Sequence, residues 1–362
     1  MKIKVNTETF KSMVGKAVKC ASNNKLIPLT ELMEIKVNDG TLTLTTTDAS
    51  NYLYIKQKGV TSEDGNFIVS VNADKFAKLV ARTTTENITL EIVEDKLKFI
   101  GNGTYNIDLP VDENGQIIKF PIMVNDNDYT EGTINLTTVK NILQVNKSSL
   151  SQEVNENGAV YSCYYVGDKV VTTDSFTICY NDINVFEHPV IMSSAAMEAL
   201  ALFTEEKINV VMYKDLKMVF KSDNMILYST NIADVNNFDI KVITSLVNVD
   251  FESCCTINKG ALLSALDRIS LFVSAYDNNT VTLNFTDKGL IISNNDDNSS
   301  ELLPYKDSKH YKPFICSVDT VLLQNQVKVH AMDDIELWYG IDSSIKLCEG
   351  KVTQIIALSE ES

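Results

Sequence analysis

The chain is 362 residues long, 44% hydrophobic and 22% charged, which suits a globular protein with two or three cores. Its net charge of −16 argues at first sight against nucleic acid, and no apolar run approaches the roughly 20 residues of a membrane helix. The opening MKIKVNTETF reads as a strand and a helix cap rather than a signal-peptide core, so a cytoplasmic location is expected. Seven cysteines without a CxxC pair read as reduced thiols in apolar strands, so no metal and no cofactor are expected.

Taken in order, a module of strand, amphipathic helix and two or three strands recurs six times. The first runs IKVNTETFKSMVGKAVK into a hairpin, where Ile35 and Val37 precede an Asn38-Asp39-Gly40 turn and Leu42 and Leu44 alternate with threonines. The others begin at FIVSVNADKFAKLVART, GTINLTTVKNILQ, PVIMSSAAMEALALF, CCTINKGALLSALDRISLF and PFICSVDTVLLQNQ. Each helix opens on a capping-type residue: Thr7, Asn72, Thr137, Ser193, Asn258, and Ser317 or Asp319. Stretches 109–132 and 234–252, acidic and Asn-rich, read as linkers. They divide the chain into domains 1–125, 126–245 and 246–362, an α+β plan of three similar domains, each with two helices packed on antiparallel sheet.

Charge follows the same division. Residues 1–125 hold 15 basic and 15 acidic side chains, residues 126–245 hold 8 against 16, and residues 246–362 hold 9 against 17. The basic residues fall on the polar sides of the helices. Lys75, Lys78 and Arg82 form one stripe opposite Phe76, Leu79 and Val80; Lys16 and Lys19, flanked by Lys11, lie away from Phe10. Lys140 and Lys147 repeat the spacing with Gln144, and Lys259 and Arg268 add to the fifth helix. Lysines without interleaved aromatics suit phosphate contact rather than base stacking, and with only two arginines, guanine readout is poorly supplied. The surface suits weak, sequence-blind, salt-dependent contact with duplex DNA.

The wording of several segments resembles one family. Ile27-Pro28-Leu29, the Asp39-Gly40 turn and Thr45 to Asp48 match in spacing the first domain of the bacterial sliding clamp, the β subunit of DNA polymerase III. Tyr105 to Pro110 followed by Phe120-Pro121, Val171 to Asp174, and Ala265 to Phe272 are similar to later segments of that family, in order over the whole chain. The resemblance implies a DNA-clamp fold forming half of a ring, closed as a head-to-tail homodimer. It implies a non-catalytic processivity factor that encircles double-stranded DNA and tethers the polymerase catalytic subunit, the clamp loader and other proteins with linear motifs.

Carried over by position, Lys25 lies in a DNA-touching loop, and Ile107 meets Leu271 and Phe272 across the dimer interface. A pocket for partner peptides falls on Thr173, Ser175, Phe176, Thr177 and Ile178, with Ser344, Ile356, Ala357 and Leu358. There the sequence departs: the family's Gly-His-Arg is Ser175-Phe176-Thr177, and its Met-Pro-Met-Arg-Leu end is IALSEES, which implies an altered peptide preference. The alternative from another class is a clamp-like decoy that binds clamp partners without encircling DNA. An enzyme is disfavoured, because His188, His310 and His330 fall in different modules without nucleophile partners and no phosphate-cradling glycine loop occurs.

Overall fold

The computed structural model describes the chain except residues 64, 113–114, 117, 122, 124–127, 152–158, 215–216, 232, 274–278, 295, 297 and 360–362. The first third comprises β1 (Lys2–Asn6), α1 (Thr7–Ala17), β2 (Leu32–Asn38), β3 (Thr41–Thr47), β4 (Asn51–Lys58), β5 (Thr61–Glu63), β6 (Phe67–Asn72), α2 (Ala73–Ala81), β7 (Asn87–Val93), β8 (Lys96–Ile100) and β9 (Thr104–Asp108). The middle holds β10 (Tyr129–Asn135), α3 (Leu136–Asn146), β11 (Cys163–Val166), β12 (Val170–Thr173), β13 (Thr177–Asn181), β14 (Val190–Ser193), α4 (Ser194–Leu200), β15 (Lys207–Tyr213), β16 (Lys217–Lys221), β17 (Met225–Thr230) and α5 (Ile240–Val247). The last third holds β18 (Ser253–Asn258), α6 (Lys259–Ile269), β19 (Thr280–Thr286), β20 (Gly289–Asn294), β21 (Ser300–Leu303), β22 (Asp307–Lys309), β23 (Phe314–Asp319), α7 (Thr320–Lys328), β24 (Asp334–Ile341), β25 (Ser344–Glu349) and β26 (Val352–Ala357).

Two compact units emerge, one of residues 1–139 with 195–231, the other of residues 140–194 with 232–362. In the first, β5-β1-β7-β8-β9 make one antiparallel sheet and β10-β15-β16-β17-β4-β3-β2-β6 another. The predicted hairpin is β2–β3: Asp39 and Gly40 both take positive φ, +48° and +73°, the geometry that Asp-Gly accommodates. Alternation along β3 buries Leu42 and Leu44 completely. Over this core lie α1 and α2, joined by an edge-to-face contact of Phe10 and Phe76 with centroids 6.0 Å apart. Phe76 in turn meets Phe99 of β8, so truncating it to Ala would cost about 3–5 kcal/mol. Asn6, not Thr7, caps α1: its side chain accepts the Thr9 N–H at 3.1 Å, while Thr7 is buried as the first helical residue. Asn72 caps α2 as expected, and Thr137 lies inside α3, its N–H donating to Glu206 at 3.2 Å.

In the second unit β14-β11-β12-β13-β26-β25-β24-β18-β22 make a nine-stranded sheet and β21-β20-β19-β23 a four-stranded one. Leu262, Leu266, Leu283, Phe285, Leu323 and Leu337 belong to its main core. A second cluster sets Phe238, Ile243 and Val247 on Tyr165, Val171, Ile178 and Ile355. This corrects the reading of 234–252 as a linker. Asp239 caps a helix there, α5, whose apolar side covers the sheet.

Hydrogen bonding makes the internal repetition explicit. After β3, Thr47 Oγ1 donates to the Asn51 carbonyl (2.7 Å), the Asp48 carboxylate accepts the Asn51 N–H (2.7 Å), and Ala49 takes φ +85°. After β12, Thr173 Oγ1 donates to the Thr177 carbonyl (2.7 Å), the Asp174 carboxylate accepts the Thr177 N–H (2.6 Å), and Ser175 takes φ +80°. Each turn leads to a joint between modules. The Thr230 N–H donates to the Ser50 carbonyl beside the β4–β17 pair, and the Ala357 N–H donates to the Phe176 carbonyl beside the β13–β26 pair.

Candidate nucleic-acid and partner-binding surfaces

On α1 and α2 the apolar stripes of Phe10, Met13 and Val14 and of Ala73, Phe76 and Val80 are buried, which turns the basic residues outward. Lys19, Lys25, Lys75 and Arg82 are exposed, with no ion pair or hydrogen bond from their charged heads among the described residues. Lys25 sits in a loop pinned by the Ser22 N–H on the Thr30 carbonyl and the Ile27 N–H on the Asn24 carbonyl. Lys16 is half-buried; desolvation lowers its pKa, and Glu205 acts in the opposite sense. Lys11 pairs with Glu8 at 3.0 Å and Lys78 with Asp74 at 2.7 Å. Exposed pairs of this kind contribute only about 0.2–1 kcal/mol, so a phosphate can displace the carboxylate.

In the second unit, Lys140 and Lys147 are exposed on and just after α3. Two of the other basic residues are held by partners within the chain. Lys259 is half-buried and its ammonium donates to the His330 carbonyl at 2.8 Å. Arg268 grips Glu301 with two hydrogen bonds, Nε donating at 3.0 Å; these bonds hold the Glu301 carboxyl below its ordinary pKa. Sequence spacing places both on a polar helix side but cannot show partners arriving from 33 or more residues away.

The residues read as a peptide pocket come together around one strand joint. Thr177 opposes Ile356 and Ser344 opposes Ala357 in the sheet, and the Leu358 N–H donates to the Ser343 carbonyl at 3.0 Å. Thr173, Thr177, Ile178 and Ile356 are buried and form the frame. What reaches solvent is Phe176, 62% exposed at the tip of the Asp174 turn, with Ser175 beside it and Ala357 and Leu358 half-buried. The turn is rigid, since the Asp174 carboxylate accepts the N–H groups of Phe176 and Thr177 together with the Thr177 hydroxyl.

Each of the four sheets ends in two edge strands among the described residues; β9, which carries Ile107, is one of these and β21 is another. Close to β21, Leu271 and Phe272 are 79% and 61% exposed, and Asn294 Nδ2 donates to the Phe272 carbonyl at 3.3 Å. In the Asn-Asp run at 294–298, residues 295 and 297 lie outside the described residues, and Asn294 Oδ1 accepts the Ser299 N–H at 3.0 Å.

Elsewhere the chemistry is structural. Six of the seven cysteines are buried, and burial pushes the Cys20, Cys179 and Cys316 thiols up to about 12. Among the described residues no group of three His, Cys, Asp or Glu side chains is placed to hold a metal ion, and no helix is long and apolar enough to cross a membrane.

Residues 1–120 match the family model described as the DNA polymerase III beta subunit, N-terminal domain. No curated protein matches the sequence. Solved structures match over essentially the whole length. The DNA polymerase III beta chain of Streptococcus pneumoniae is 15% identical with a TM-score of 0.87, covering 99% of this chain and 100% of that one. The DNA polymerase sliding clamp of Bacillus subtilis is 16% identical, with a TM-score of 0.86 over 100% of both chains. The beta subunit of Thermotoga maritima is 15% identical, with a TM-score of 0.85 over 100% of both. The chain has the bacterial sliding-clamp fold. At this identity the clamp architecture persists through its period of buried positions and its turns, since volume and patterning tolerate extensive exchange of core residues.

Proposed function

We propose that this protein is a DNA sliding clamp, a non-catalytic processivity factor of three domains, 1–125, 126–245 and 246–362, that closes into a ring as a head-to-tail homodimer. One observation carries the reading. The chain makes the same strand joint twice, β4 with β17 and β13 with β26, and leaves the two strands that would make a third, β21 and β9, each with one side free among the described residues. By the repeat, β21 occupies the place of β4 and β13, and β9 that of β17 and β26. A second copy supplies the missing strand at each end, which pairs the free sides of β9 and β21 and closes the assembly. In the register of the internal joints Ile107 then faces Ser299 of the other copy, next to Phe272.

Within such a ring Lys19, Lys25, Lys75, Arg82 and Lys140 serve as mobile phosphate contacts, assisted by Lys11, Lys16, Lys78 and Lys147, while Lys259 and Arg268 brace the fold. Phe176 with Ala357 and Leu358 receives linear motifs of the polymerase and the loader, and the work is done where the DNA is, in the cytoplasm. Charge reversal of Lys75, Lys78 and Arg82 together tests the role. Processive synthesis by the cognate polymerase should fall sharply, with the dimer and the melting temperature retained; unchanged synthesis would leave the clamp reading without its DNA surface.

A further inference from the structure

The repeat that aligns the two joints also aligns the sheet surfaces beside them, and those surfaces are finished differently. In the second unit one row across the strands runs Tyr165, Val171, Tyr180 and Thr353, each opposite the next. The corresponding row in the first unit runs Glu34, Thr45, Tyr54 and Ile226. Over the second-unit row lies a peptide segment of the chain itself, α5 with Phe238, which buries its apolar side on Tyr165, Val171 and Ile355. Over the first-unit row the described covering is a strap at Ile118–Pro121 with Met123. It is fixed by the Ser70 hydroxyl on the Ile118 carbonyl (2.7 Å) and by the Phe120 N–H on Glu34 (3.1 Å).

Beside that strap is a cavity of about 640 Å³, within the range of binding sites for a few side chains. Its walls are apolar and aromatic at one end, where Ile226, Phe120 and the edge-to-face pair Tyr54–Tyr228 lie (centroids 5.6 Å apart). At the other end it is cationic. Lys36 and Lys56 flank Thr43 from the two neighbouring strands, and Lys119 joins them from the strap. None of the three forms an ion pair among the described residues. Both acids of the lining are engaged locally: Glu34 by Phe120, and Asp39 by the Asn38 amide at 3.1 Å. Three convergent lysines beside an aromatic wall stand out in a chain with 16 more acids than bases.

We propose that this cavity is a docking site for an acidic segment of a partner protein that carries an aromatic or aliphatic anchor. The equivalent sheet surface in the second unit takes a polypeptide with aromatic and aliphatic side chains, which favours a peptide over a free small anion. The lysines set the charge of the occupant, and the Tyr54–Tyr228 wall accepts the anchor. This site is separate from the one around Phe176 and does not depend on the protein encircling DNA.

The test uses the full chain at low salt and a fluorescein-labelled peptide of alternating Asp and Glu with a central Phe and Leu, read by fluorescence anisotropy. A control peptide has Ser in place of Phe and Leu. Binding of the first peptide should saturate, weaken about tenfold or more in the Lys36→Glu, Lys56→Glu double variant, and stay unchanged in Phe176→Ala. The control peptide should bind distinctly more weakly. Both lysines reach solvent, so the variant should keep the parent's circular dichroism and melting temperature; Lys36→Gln with Lys56→Gln repeats the measurement with less perturbation should it not. Absent saturation, equal binding of the two peptides, insensitivity to the lysines, or loss of binding in Phe176→Ala would each overturn the proposal.

Discussion

The joint left open at β9 and β21 makes a quantitative claim about Leu271 and Phe272. In the isolated chain these side chains are 79% and 61% exposed, so neither contributes much to folding, and truncation should leave the thermal melt of the separated protomer unchanged. In the dimer both would be covered by β9 of the second copy around Ile107. Full burial of a Leu or Phe side chain stabilises by about 1.5–3 kcal/mol, and scaling by the exposed fractions gives roughly 3 kcal/mol for the pair at one joint. A closed ring has two joints. The Leu271→Ala, Phe272→Ala double variant should therefore lose roughly 6 kcal/mol of association free energy, weakening the dimer about ten-thousandfold. Sedimentation equilibrium across a wide protein concentration range measures this directly, with differential scanning calorimetry of the dilute protomer as the folding control. A dimer of parental affinity, or a melt lowered in step with the association, would show that these residues serve the fold and not the joint.

Other consequences concern the interior. Glu34 is buried and desolvation raises its pKa above the ordinary carboxylate range, with the Phe120 N–H and the nearby lysines opposing that shift. A raised carboxyl binds its proton more tightly in the folded state, so the stability of the parent should fall as pH rises through the carboxylate range, and Glu34→Gln should flatten that slope in urea titrations across pH 4 to 7. Gln326, fully buried, accepts from Gln354 Nε2 (2.6 Å) and the Ser148 hydroxyl (2.9 Å) and donates to the Ser148 carbonyl (3.0 Å). Gln354 accepts in turn from His330, which also meets Glu349 at 2.8 Å. Gln326→Leu leaves several buried polar groups unpaired and should destabilise by about 2–3 kcal/mol, seen as a lower urea midpoint at unchanged slope.

What the sequence disclosed and what it withheld divide along the range of the interactions. The β2–β3 hairpin, the Asn72 cap, the Asp319 cap of α7 (its carboxylate accepts the Val321 and Leu322 N–H groups, so Asp319 and not Ser317 fills that place) and the outward lysines of α2 are set by residues within a few positions of one another, so spacing alone reveals them. The joints are not local: β4 finds β17 and β13 finds β26 across some 170 residues, and no periodicity announces which edge meets which. The helix α5 was legible in principle, since Ile240, Ile243 and Val247 keep a helical spacing behind the Asp239 cap, but the acidic and Asn-rich surroundings resemble a linker. Arg268 reads as a free cation on a wet helix side because Glu301 lies in another strand. The Lys36–Lys56–Lys119 cluster was missed because alternation on three separate segments puts them on one surface only after β2, β3 and β4 pair.

The most direct measurement of the central claim is retention on DNA of defined topology. The protein, loaded by its cognate loader onto a nicked circular duplex and freed of unbound material by gel filtration, should stay with the circle in moderate salt and be released when a restriction enzyme linearises it. Equal retention on circular and linear duplex, or none on the circle, would contradict an encircling clamp.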